Sequence, residues 1–207
     1  MGDGLAMDAL ILVMLVVSGV WFLRAGEQRR RIALLGSFLG KYQIEALMET
    51  LTQGYLRALG EDDPARREQI LNMLDAAERS VAQQFGSFAV EFSRLDEAQT
   101  RVSKLGMALP FADRRFPKAT FDAREAFRIH ARGLADTADN ELNRSPRDKA
   151  YTMSAELLLM QHTCHWFCRS RATASARMLM RHQTTHEQLV AGVTPATRRD
   201  YQALTQA

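Results

Sequence analysis

Between His162 and Cys168 the chain gathers four metal-capable side chains into seven residues, His162-Thr163-Cys164-His165-Trp166-Phe167-Cys168. Thiolate with imidazole is a donor set for zinc, copper(I) or an iron centre. Cys164 and Cys168 are one helical turn apart, and His165 and Cys168 are neighbours at i and i+3. Helical geometry limits the set. At about 100° per residue the four spread over about 160° of circumference, and His162 lies nearly opposite Cys164. Two thiols one turn apart supply two ligands at most, so a closed site needs a donor from elsewhere. His130, on the preceding helix, is the candidate that distance along the chain does not exclude. The candidate metal set is therefore Cys164, His165, Cys168 and His130. Against it stands a plainer chemistry: free cysteine packs as a small hydrophobe and is among the most buried residue types. Core cysteines with no bound cofactor are the favoured reading, with redox-sensing thiols as the third.

The element that must position these residues is a helix. From Tyr151 to Met180 no period-2 alternation occurs. Met153, Leu157, Met160, Cys164, Phe167, Cys168 and Met178 fall in one wide stripe, and Leu158, Leu159 and Trp166 fall on other sides. A helix apolar all round is buried all round, so the pattern predicts one long central helix of a bundle. Its start is marked by Ser145-Pro146-Arg147-Asp148: a hydroxyl N-cap, proline at the first position and a carboxylate in the first turn.

Other elements follow from the same rules. Ile44, Leu47, Leu51, Tyr55 and Leu59 form a helical stripe that Gly60 stops. Asp63-Pro64 starts a helix whose stripe, Leu74, Val81, Phe85, Phe88, Phe92, Leu95 and Val102, predicts one long core-facing helix. The same heptad-like spacing suits a coiled-coil seam. Leu109-Pro110-Phe111 ends it, and a linker with Arg114, Arg115, Pro117 and Lys118 leads to Thr120, read as the cap of the next helix. Asn140 to Arg144 closes that one. Thr184-Thr185-His186-Glu187 reads as a capping box and Thr194-Pro195 as cap and first position of a last helix.

Leu5 to Leu23 is the strongest signal in the chain. Residues 9–23 carry no charge, and extension back to Gly4 gives the roughly 20 residues that a bilayer core needs. Trp21 and Phe22 suit an interfacial belt, and Asp8 suits the outer interface. Arg24, Arg29, Arg30 and Arg31 follow the span and no basic residue precedes it. A cleaved signal peptide wants its positive charges on the other side. The arrangement predicts an uncleaved anchor, residues 1–25, with its N-terminus outside and residues 26–207 cytoplasmic. The four arginines then face the membrane surface, where each basic residue near anionic lipid contributes roughly 1 kcal/mol.

Composition narrows the function classes. The net charge of +3 is too small to imply nucleic acid. Two cysteines exclude a disulfide framework, and scarce Gly and Pro exclude turn-dense all-β designs. Gly36 to Lys41 is one residue short of a phosphate loop and lacks its Ser or Thr. No nucleophile, base and acid can be assigned as a trio. The fold class expected is all-α: one N-terminal transmembrane helix, then an irregular cytoplasmic bundle of five to seven helices. The function expected is a non-enzymatic, membrane-anchored accessory, assembly or scaffold subunit. Its partners are lipid, through residues 5–23, and a docked protein or a second copy. The alternative is a bundle that binds a metal, haem or small ligand near Cys164, His165 and Cys168.

Overall fold

The structure, a computed structural model, describes residues 2–105 and 117–206. Helix α1 runs from Gly2–Leu39 without interruption, through Gly36 and past residue 25. It stops where Gly40 turns and its amide bonds Gly36 O at 2.9 Å. Residues Leu10–Leu39 are long and apolar enough to cross a membrane, with mean hydropathy 1.8, and none of the apolar window is buried. Phe22 is 74% exposed. The last turns of α1 behave differently. Leu35 is buried, Phe38 meets Phe92 edge-on at 5.6 Å, and Arg31 donates to Phe167 O and Arg101 O. One helix is thus half projecting rod and half member of the bundle.

The bundle follows as α2 (Ile44–Leu59), α3 (Pro64–Met73), α4 (Asp75–Phe92), the short α5 (Glu97–Thr100), β1 (Arg101–Ser103), a 3-10 turn, and β2 (Thr120–Asp122). It continues through α6 (Ala123–Asp139), α7 (Pro146–Cys168), α8 (Arg171–His182), α9 (His186–Gly192) and α10 (Pro195–Gln206). The all-α expectation holds, with one short ribbon added. The caps at Asp63, Ser145 and Thr194 form as read: Asp63 accepts from Ala65 N, Ser145 from Asp148 N and Thr194 from Thr197 N.

Five expectations are corrected. The helix from Pro64 is not one rod to Val102. It turns at Leu74, whose amide bonds Leu71 O, and Leu74 drops into the notch left by Gly54, where an added Cβ would lie 2.6 Å from it. The chain then leaves helix after Phe92, and Val102 sits in a strand paired with Phe121. A three-residue strand is too short for period-2 patterning to register. Thr120 belongs to that ribbon, and the cap of α6 is Asp122, accepting from Arg124 N at 2.9 Å. The segment from Tyr151 to Met180 is two helices. Ser170, extended and buried, caps α8 by accepting from Thr173 N. The capping box shifts by one residue to Thr185 and Gln188. These breaks divide the bundle into more pieces than five to seven. The expected end at Leu109-Pro110-Phe111 and the linker residues Arg114 and Arg115 lie outside the described residues.

The core is aromatic. Phe85, Phe88 and Phe92 of α4 meet Phe127 of α6 at centroid distances of 6.1, 5.2 and 5.0 Å, and Phe167 of α7 closes on Phe92 at 5.7 Å. All five rings are fully buried, so the α4 stripe is core and not an exposed seam. Trp166 ties the ribbon to α7: its indole donates to Ser103 O at 2.9 Å and its ring packs on Phe121.

Candidate functional site

Cys164, His165 and Cys168 lie on one side of the last two turns of α7, where they line a groove of about 760 Å³ between α1, α2 and α7. The walls are mostly apolar, with Ile32, Leu35 and Leu39 from α1, Ile44 and Met48 from α2, and Met160 from α7. Both cysteines are free and half-buried, and both pack against the main core. Burial pushes the Cys164 thiol up, and pushes Cys168 up to about 11. Both are therefore neutral thiols near pH 7, and the thiolate is the form that ligates or attacks. Burial also holds His165 down, at about 4.

His130 is placed elsewhere. It is fully buried in α6, with Nε2 2.8 Å from Thr163 Oγ1, on a different side of α7 from Cys164. Among the described residues no three His, Cys, Asp or Glu side chains converge to hold a metal. Of the basic residues after the span, Arg29 and Arg30 are exposed and Arg24 is half-buried. Arg31 points inward, paired with Glu27 at 2.7 Å and lying over the Phe167 ring.

A second polar constellation is not legible as a motif. The turn at Arg169–Ser170 folds α8 back along α7, and His162 Nε2 comes within 3.1 Å of Ser175 Oγ. The His162 ring lies 4.6 Å from that of His186 of α9. His186 and His130 flank Tyr201 of α10 at 6.1 and 5.4 Å, and the Thr163 hydroxyl is 3.3 Å from the Tyr201 hydroxyl. Five helices therefore meet on a chain of buried polar groups. His130 and His162 are each held down at about 3 by burial; the neighbouring His186 and the Arg171 guanidinium lower His162 further. Among the described residues His130 Nδ1, His162 Nδ1 and His186 Nε2 have no hydrogen-bond partner. Beside this chain Glu156 is buried, accepting from Thr194 N at 2.9 Å, and desolvation raises it to about 7. Gly133 makes room for it, since a Cβ there would lie 2.5 Å from Glu156 Oε2. The sequence signal for the turn was Ser170 as an N-cap with Thr173 three residues on.

Neither constellation pairs an activated nucleophile with a base. The groove offers an apolar surface with polar lips, an arrangement suited to binding. Comparison with protein-family models, curated proteins and solved structures finds no match for this chain.

Proposed function

We propose that this protein is a membrane-anchored, non-enzymatic helical subunit that docks on a protein partner at the cytoplasmic membrane face, in an accessory, assembly or scaffold role. One observation carries the reading. The apolar part of α1 projects with none of its window buried, while its last turns are packed into the bundle without a break in the helix. Apolar exposure on this scale needs a non-aqueous surrounding. A continuous helix that ends inside the core also supports retention of the segment over its removal. The arginines after Leu23 support an orientation with the bundle in the cytoplasm. A reporter fused after Ala207 should read as cytoplasmic, and the protein should resist alkaline extraction from membranes. An external reporter signal, or a mature chain that begins near Ala25, would refute the reading.

The groove favours a second reading, a small ligand held beside Cys164, His165 and Cys168. Native mass spectrometry of the protein released from membranes tests it: a stoichiometric added mass, lost on Cys164→Trp, is the result it requires.

A further inference from the structure

We propose that the groove between α1, α2 and α7 is the docking site for an amphipathic helix of the protein partner, one whose apolar stripe is flanked by Lys or Arg on the side that meets α2. This assignment rests on the docking role proposed above and adds its place and chemistry. The walls run from Ile32 on α1 to Gly40 just past its end, and from Met160 to Cys168 on α7. Eight helical steps are about 12 Å, the length over which a docked helix presents anchors at i, i+4 and i+7. Leu35, Ile44 and Met160 are buried beneath, and Met48 and the two cysteines give the walls an adaptable sulfur surface. At Gly36 an added Cβ would meet nothing within 4 Å, so the α1 wall is open to close approach.

Charge selects the occupant. Glu45 and Glu49 line the α2 lip, both are exposed, and neither joins an ion pair among the described residues, although Glu49 accepts from the neutral Gln53 Nε2 at 3.2 Å. A basic flank is steered to them and an acidic one is repelled. Along the α2 lip an anionic head would be repelled by the same two carboxylates. On the α7 lip, Gln161 and His165 line the same groove, and among the described residues Gln161 Oε1 and His165 Nδ1 have no hydrogen-bond partner.

The test uses the full-length protein in its native membrane with the photocrosslinker p-benzoylphenylalanine at Ala46, exposed on the lip, and in a parallel sample at Asn72 on α3. Irradiation at Ala46 should capture a peptide segment with apolar residues at i, i+3 or i+4, and i+7, flanked by Lys or Arg. Capture should fall about tenfold, about 1.4 kcal/mol of affinity, in Gly36→Leu and in Glu45→Lys with Glu49→Lys. Gly36→Leu fills open space and raises helix propensity, so a melting temperature no lower than that of the wild type confirms that the fold is intact. Capture of a lipid, a small molecule, a second copy of this chain or a segment without that pattern overturns the assignment, as does capture that the variants leave unchanged. Protein capture at Asn72 alone sinks the groove assignment and spares the docking role. Capture of no protein at either position sinks the docking role itself.

Discussion

The buried histidines make the fold acid-sensitive in a way that a single carboxylate masks. His130 and His162 have folded-state values of about 3 against 6.5 when free. A group depressed by folding contributes stability that is full above its unfolded value and is lost as pH falls toward the folded one. Between pH 7 and 5 only the unfolded chain takes up these protons, so each histidine removes about 2 kcal/mol. Glu156 has the opposite sign. Its folded value is about 7 against 4.5, so its contribution is full below the unfolded value and is lost as pH rises through 7. Acidification to pH 5 returns about 2 kcal/mol. From these three groups alone the wild type should therefore lose about 2 kcal/mol net, a floor of about 4–8 °C in melting temperature for a chain of this size. Glu156→Gln keeps the acceptor for Thr194 N and removes the compensation, so over the same interval it should lose about 2 kcal/mol, or about 4–8 °C, more than the wild type. His165, His182 and His186 are also held down by burial and act in the same direction as His130 and His162. The assay is thermal melting in detergent of the full chain carrying Trp21→Phe, so that Trp166 alone fluoresces, at pH 7, 6 and 5. Equal pH slopes in wild type and Glu156→Gln, or a melting temperature that does not fall in the variant, would show that these groups are hydrated and refute the reasoning.

Three further outcomes are expected. Phe92→Ala, which removes a fully buried ring packed on Phe38, Phe88, Phe127 and Phe167, should cost about 3–5 kcal/mol in equilibrium unfolding, whereas an exposed seam would give changes within about 0.5 kcal/mol. Gly133→Ala should destabilise by about 1–3 kcal/mol, because its Cβ would lie 2.3 Å from Thr197 Oγ1 and 2.5 Å from Glu156 Oε2, and Gly133→Ala with Glu156→Gln should not restore it, since the clash is steric. Cys168 should alkylate about a hundredfold more slowly at pH 8 than a free thiol, with the rate rising about tenfold per pH unit up to its raised value; a rate equal to that of a free thiol would mean that the groove is water-filled.

What could be read from the sequence was local. Asp63-Pro64, Ser145-Pro146 and Thr194-Pro195 mark helix starts because the cap accepts from an amide two or three residues away, within the span that the spacing describes. The exposed half of α1 and the α4 stripe were legible for the same reason, since each is a property of one face or one run. The breaks at Leu74 and at Arg169–Ser170 were not. Leu74 turns because Gly54 of α2 offers a notch, and Ser170 is buried by elements that periodicity does not see. The ribbon of three-residue strands carries its meaning in the Val102–Phe121 pairing and in Trp166, not in alternation.

The candidate site divides along the same line. Cys164, His165 and Cys168 share a helix, and their neighbourhood could be read from one helical repeat. That repeat also set His162 nearly opposite Cys164, and the structure gives each side of the helix its own surroundings. The thiols face the groove beside α1, and His162 faces α8 and α9. His130 does not join the thiols; it meets Thr163 and Tyr201, and the chain runs on to His186 and His162, through contacts between residues 15 to 71 positions apart. Five scattered histidines carried no spacing because what gathers three of them is the reversal at Ser170 and the return of α10. A helix that divides its two sides in this way has one face committed to holding the bundle together. The face that remains open, toward α1 and α2, is where Glu45 and Glu49 lie exposed and outside any ion pair among the described residues, and Gly36 leaves space.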